Sequence, residues 1–233
     1  MVAGPALAGI LSTCLAHGFA GLRELVSRVL KWQAAGRWYA IALFAAPVLA
    51  LATCLALIPF SPEFAPGIAI ADDKTSLVLL ALSVALTAGC VEELGWTGFA
   101  IHALRRRCGV LTTGLIVGIV WSAWHVLVVV WGIGNRAGSI PLPLFVLLDG
   151  LTALVAFRVL MVWVYDRTGS LPVAMLMHAG LTASTIALWP VTTGGRQIAY
   201  GVAFAAATWI VIAVMALADR GPFRQSSLRR RVA

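Results

Sequence analysis

The sequence predicts an all-α polytopic membrane protein with about seven transmembrane helices and a cytoplasmic interfacial amphipathic helix. Three observations lead there. The 233-residue chain is 61% hydrophobic and only 11% charged, with a mean hydropathy of +0.96, whereas soluble domains are about a quarter charged. Its apolar residues gather in long runs of the length a bilayer-crossing helix needs, about 20 residues. Those runs are apolar all round, which excludes a β-barrel, whose strands are about 10 residues long and alternate in polarity.

Seven runs qualify, at roughly 2–20, 38–60, 75–95, 112–132, 141–165, 172–189 and 198–218. Each is expected to be helical, because lipid offers no partner for backbone N–H and C=O groups. No second domain and no internal repeat is expected within 1–233, and 219–233 reads as a basic cytoplasmic tail. A cleavable signal peptide is not expected, since "MVAGPALAG" has no basic n-region.

The net charge of +8 would suit a nucleic-acid binder, but its distribution argues against one. The connections at 23–37, 105–107 and 165–170 and the tail carry four, three, one and five Lys/Arg residues, while 61–74, 133–140 and 190–197 carry one each. The two sets alternate along the chain. The positive-inside rule then places the N-terminus outside and the C-terminus in the cytoplasm of an inner (plasma) membrane protein. In 23–37, Leu25, Val26, Val29, Leu30 and Trp32 interleave with Arg23, Arg28 and Lys31, the pattern of a helix lying on the cytoplasmic interface. Membrane lipid is thus an expected partner and nucleic acid is not. Cys14, Cys54, Cys90 and Cys108 show no metal-type spacing and read as small hydrophobes.

Ionisable groups inside spans cost about 2.5–3.5 kcal/mol at helix centre and are functional candidates by default. Here they are Glu92, Glu93, His125, Asp149, Arg158 and His178. His17 and His102 fall near span ends and read as solvated or headgroup-level, and Asp149 suggests no partner. At 1.5 Å per residue, Glu92 lies about 27 Å from Lys74, and His178 lies about 10 Å from the cytoplasmic face. His125 reaches a comparable depth of about 17 Å if its helix starts near Gly114, but is too deep if it starts at Gly109. The helix carrying the acids is expected to break or turn near Gly95 and Gly98, with 99–107 then running along the inner interface. Residues at i and i+4 share a face, pairing Glu92 with Trp96, Glu93 with Thr97, Trp121 with His125 and His178 with Thr182. Glu92 and Glu93 point about 100° apart, so they cannot share one role. Trp96, Trp121 and Trp124 are candidates to line a cavity or to pack in the core.

Such a set suits water activation. A poorly solvated carboxylate is an effective general base, a histidine can hold the water, and a second histidine beside a hydroxyl can donate to an oxyanion. HExxH is absent, although Glu92, His125 and His178 would be an acceptable three-ligand set for Zn²⁺. Buried groups hydrogen-bonded merely between helices are the bland alternative.

"EELGWTGF" (92–99), "WSAWH" (121–125) and "HAGLT" (178–182) resemble the three motifs of the CPBP (CAAX protease and bacteriocin-processing) intramembrane protease family, related to the type II CAAX prenyl endopeptidases. The resemblance runs over roughly residues 23–185. It implies a glutamate-dependent intramembrane endopeptidase acting on a peptide or protein substrate without a required cofactor. Glu92 matches the catalytic glutamate, His125 the water-activating histidine and His178 the oxyanion histidine, with Thr182 beside it. Glu93, Arg158, Trp96 and Trp121 are expected in supporting roles. Zn²⁺ is the alternative, since the family has been described as metalloproteases. Two positions depart from the family pattern. Thr97 stands where an Arg usually follows the second Glu, and Thr182 stands where Asn or Asp ends the third motif. Glu93 must therefore be protonated or find another cation. Arg158, the basic residue within a span, is expected either to cross to Glu93 or to snorkel towards Asp166. A catalytically impaired relative serving as a membrane scaffold or immunity factor, or a small-solute carrier, is the competing class.

Overall fold

A computed structural model describes residues 2–128 and 136–218. The C-terminal end of the expected 112–132 span and the 219–233 tail fall wholly or partly outside them. Seven helices occupy the apolar stretches: α1 Ala3–Val29, α2 Gly36–Leu57, α3 Lys74–Arg105, α4 Val110–Val128, α5 Leu142–Thr168, α6 Leu171–Ala187 and α7 Gly194–Ala218. There is no strand among the described residues. All but α6 are long and apolar enough to cross a membrane. α6 has 17 residues, so it is about 26 Å long.

The helix ends follow local chemistry. Asp73 caps α3, accepting from the Ser76 N–H at 2.9 Å and its hydroxyl at 2.6 Å, and these bonds hold its carboxyl below the usual carboxylate range. Ser170 caps α6, with Pro172 in the first turn where its missing N–H does no harm. Gly169, left-handed at φ 57°, closes α5, as C-terminal glycines commonly do.

Two expectations are corrected. The helix carrying Glu92 and Glu93 does not break near Gly95. It widens into a π-helical turn over Trp96–Ile101 and continues to Arg105, 32 residues in all. A wider turn absorbs an extra residue without giving up the backbone bonds that lipid cannot replace. The basic segment 23–37 is helical only as far as Val29 before α2 begins at Gly36. α1 bends at Gly18, whose φ of 57° and ψ of −151° are open in practice to glycine alone. Residues 19–29 form the second arm of α1, and Gly36 opens α2. That arm packs Leu25 against Ile101, Val110 and Leu171.

α6, the shortest helix, is the most central. It packs chiefly against α3 and then α2, while α4 pairs with α5 and α7 lies on α5 and α2. Small residues permit the approach, as membrane helices require. A Cβ on Gly89 of α3 would stand 2.5 Å from the Met175 carbonyl of α6, and one on Gly118 of α4 would stand 3.0 Å from the Val155 Cα of α5. These contacts set α3 beside α6, and α4 beside α5, at the level of the acidic pair.

Candidate active site

Glu93 is the hub. Its Oε1 accepts from Arg158 Nη1 of α5 at 2.9 Å and lies 2.7 Å from His178 Nδ1 of α6. Its Oε2 accepts from the Thr97 hydroxyl one turn along its own helix. Arg158 therefore crosses to Glu93, and the choice left open by the sequence is resolved. Asp166, the other candidate partner, belongs to Arg105, whose Nε and Nη2 lie 2.9 and 2.5 Å from its Oδ1. Both pairs are fully buried or nearly so. Thr97 leaves Glu93 in need of a cation from elsewhere, and α5 provides it.

Glu92 differs in kind. It retains 5% exposure where Glu93 has none, and its Oε2 accepts from the Trp96 indole N–H at 3.3 Å. The 100° between consecutive helical residues thus separates a fully buried carboxylate from one that keeps slight exposure.

Trp121 organises the other side. Its indole packs edge-to-face on His125 at 4.9 Å and on His178 at 5.2 Å, and the Arg158 guanidinium lies 3.8 Å from the indole centroid. A cation over a buried indole face is a favourable arrangement. His125 Nδ1 lies 2.8 Å from the Trp121 carbonyl. A carbonyl only accepts, so Nδ1 carries the proton and the neutral ring presents Nε2 as an acceptor. His178 donates from Nδ1 to Glu93 by the same reasoning and likewise leaves Nε2 for other partners. α4 begins at Val110, close to the start that made His125 seem too deep. Both imidazoles nevertheless reach one indole, because helix ends need not lie in one plane.

The structure brings Glu93, Thr97, His178, Arg158, Trp121 and His125 into one contiguous group. Thr182, half-buried one turn beyond His178, stands outside its hydrogen bonds. His178 bonds to Glu93. Glu92, His125 and His178, the alternative Zn²⁺ set, are not gathered as ligands: among the described residues no group of three or more His, Cys, Asp or Glu side chains could hold a metal ion.

Other contacts went unforeseen. Asp149, on a second π-helical turn over Val146–Leu151, accepts from Gln197 Nε2 at 3.2 Å, and Thr192 donates to Gln197 Oε1 at 3.2 Å. His102 is half-buried, with Nε2 3.0 Å from Glu24, and is not simply solvated. Charge on the connecting segment was visible in Glu24 and Arg28, but pairing across helices leaves no periodic signal.

Residues 74–184 match the model of the Rce1-like family, type II CAAX prenyl endopeptidases. That stretch runs from the start of α3 to within one turn of the end of α6 and holds every residue of the group above. A CAAX prenyl protease 2 from Methanococcus maripaludis is 32% identical over 84 residues, covering 34% of this chain and 30% of the relative. The chain thus matches about a third of that relative's length. Together with the apolar helices, the family match identifies a multi-pass membrane protein.

Proposed function

We propose that this chain, which belongs to the Rce1-like family of type II CAAX prenyl endopeptidases within the CPBP group, is an intramembrane endopeptidase in which Glu92 is the general base and Glu93 the fixed support. One contrast carries the assignment. The two oxygens of Glu93 serve three donors with no exposure, while Glu92 keeps slight exposure and accepts from a single indole N–H.

Glu92 takes a proton from a water held also by His125 Nε2, and the hydroxide attacks the scissile carbonyl carbon. The oxyanion forms beside His178, whose ring is oriented by Glu93. Donation from Nε2 requires the doubly protonated ring, with Glu93 accepting at Nδ1. Glu92 then returns its proton to the leaving amine as the C–N bond breaks. Arg158 and Thr97 hold Glu93, and Trp121 fixes the spacing of the two imidazoles. Thr182 assists only if substrate binding draws its hydroxyl inward. The substrate is a peptide entering from the membrane or the cytoplasmic face, in an inner membrane with the C-terminus cytoplasmic. A peptide with a C-terminal CAAX sequence is the first to try, prenylated and unprenylated.

The test is cleavage of such peptides by the full chain in detergent, comparing wild type with Glu92→Gln. Loss of a general base lowers turnover by about 10²–10⁴-fold. Full activity in Glu92→Gln rejects the assignment. Loss of wild-type activity on adding a chelator moves the reading to a metalloprotease. Absence of cleavage across a broad peptide library, with the fold intact, favours a scaffold.

A further inference from the structure

A second site lies apart from Glu93. A cavity of about 330 Å³ opens between the bend of α1, with residues of both its arms, and the final turns of α3, within the volume range of small-ligand sites. Phe99 and Leu104 give it apolar walls, and Arg28, Arg106 and Arg107 line it together with one carboxylate, Glu24. Glu24 is engaged by His102 Nε2 at 3.0 Å.

The arginines are not equivalent. Arg105 is spent on Asp166 and on the Cys108 carbonyl, which fixes the base of the loop and leaves Arg106 and Arg107 exposed beside the cavity. Arg28 is held against the wall, its Nη1 donating to the Tyr165 hydroxyl at 3.1 Å. Its side chain is only 12% exposed, and its buried Nε has no hydrogen bond but lies 3.9 Å from Glu24 Oε1, an ion pair. A buried charged N–H without an acceptor is unfavourable. Arg28 and His102 thus share the one carboxylate, and Arg106 and Arg107 add two exposed guanidinium groups beside apolar walls, at the end of a 32-residue apolar helix. Such a helix end lies at the boundary between hydrocarbon and headgroups.

From this charge imbalance and this location we infer that the cavity binds the phosphate of an anionic phospholipid, with the start of an acyl chain lying along Phe99 and Leu104. Arginine presents a planar fork of donors matched to phosphate oxygens, and basic side chains at the cytoplasmic surface attract anionic headgroups. Free phosphate offers the same oxygens without the chain, and a peptide C-terminus offers a carboxylate. The inference does not require the peptidase reading.

The experiment measures thermal unfolding of the full chain in a neutral detergent against increasing phosphatidylglycerol. Phosphatidylcholine, inorganic phosphate and a short peptide with a free C-terminal carboxylate serve as parallel arms. Phosphatidylglycerol is expected to raise the midpoint saturably and phosphatidylcholine is not. In Arg106→Gln/Arg107→Gln, two exposed positions whose change spares the fold, apparent affinity is expected to fall about 25-fold, or about fivefold per arginine. Arg23→Gln/Arg37→Gln, exposed but outside the cavity, is expected to bind within twofold of wild type. Equal losses in the two double variants, or no loss in either, overturn the site. A full shift with inorganic phosphate, or with the peptide and not the lipid, overturns the lipid assignment.

Discussion

Removing the cation from Glu93 tests whether the cross-helix ion pair holds the site together. Arg158 and Glu93 are both fully buried, 2.9 Å apart. Deleting one partner of such a pair leaves an uncompensated charge and costs about 3–5 kcal/mol. For a chain of this size that corresponds to roughly 6–20 °C in unfolding midpoint, at about 2–4 °C per kcal/mol. Arg158→Met keeps the stem that packs over Trp121 and removes the charge. Glu93→Gln keeps the shape and the acceptor for Thr97 and removes the opposite charge. The assay is thermal unfolding in detergent followed by tryptophan fluorescence, read as a double-mutant cycle. Each single variant is expected to fall by several degrees. The double variant is expected to fall by less than the sum of the two, because it leaves neither charge stranded. Strict additivity would refute the pairing as an energetic unit, and so would an Arg158→Met midpoint equal to wild type.

The same preparation reads three further expectations. Glu92→Gln is expected to lower peptide cleavage by about 10²–10⁴-fold while leaving the midpoint within about a degree of wild type, since Glu92 has one indole donor where Glu93 has three; a large drop would mean that Glu92 is also structural. Gly89→Val should force α3 away from the Met175 carbonyl, 2.5 Å from even a Cβ, and lower both midpoint and turnover; unchanged behaviour would show that α6 can shift freely. Asp149→Ala strands the Gln197 amide and is expected to cost about 1–3 kcal/mol without reducing turnover beyond the loss of folded protein, whereas Asp149→Asn should recover most of that stability; an equal loss in both would rule out the hydrogen bond as the cause.

Much of this architecture was legible because lipid imposes one dominant constraint. Runs of apolar residues must be helices, and their lengths and flanking charges are plain in the chain. The adjacent glutamates were separable for a similar reason, since helical rotation alone forces Glu92 and Glu93 onto different faces. What escaped depended on tertiary approach. The widening at Trp96–Ile101 has no local sequence signature. A Gly-rich stretch suits a break as well as a π turn, and only the packing of Gly98 against Leu25 makes continuation the better solution. Depth counting misjudged His125 because it assumed level helix ends. The Asp149–Gln197 bond joins residues 48 apart on different helices, and neither sits in a motif.

The position of the cation has a consequence for how the site is built. An arginine four residues after Glu93 would neutralise it within one helix, before any packing occurs. With Thr97 in that place, neutralisation comes from α5, and the imidazole that completes the hub comes from α6. Glu93 therefore acquires its partners only when α3, α5 and α6 are assembled. Until then it is a carboxylate without its cation in a segment that must enter lipid, where a charge is costly. The close approaches at Gly89 and Gly118 thus position the groups of the candidate site and also supply the condition under which the Glu93 charge can be buried. Tight packing of α6 and the integrity of the acidic pair are one requirement, so disturbance at either glycine should reach Glu93 before it reaches the more open Glu92.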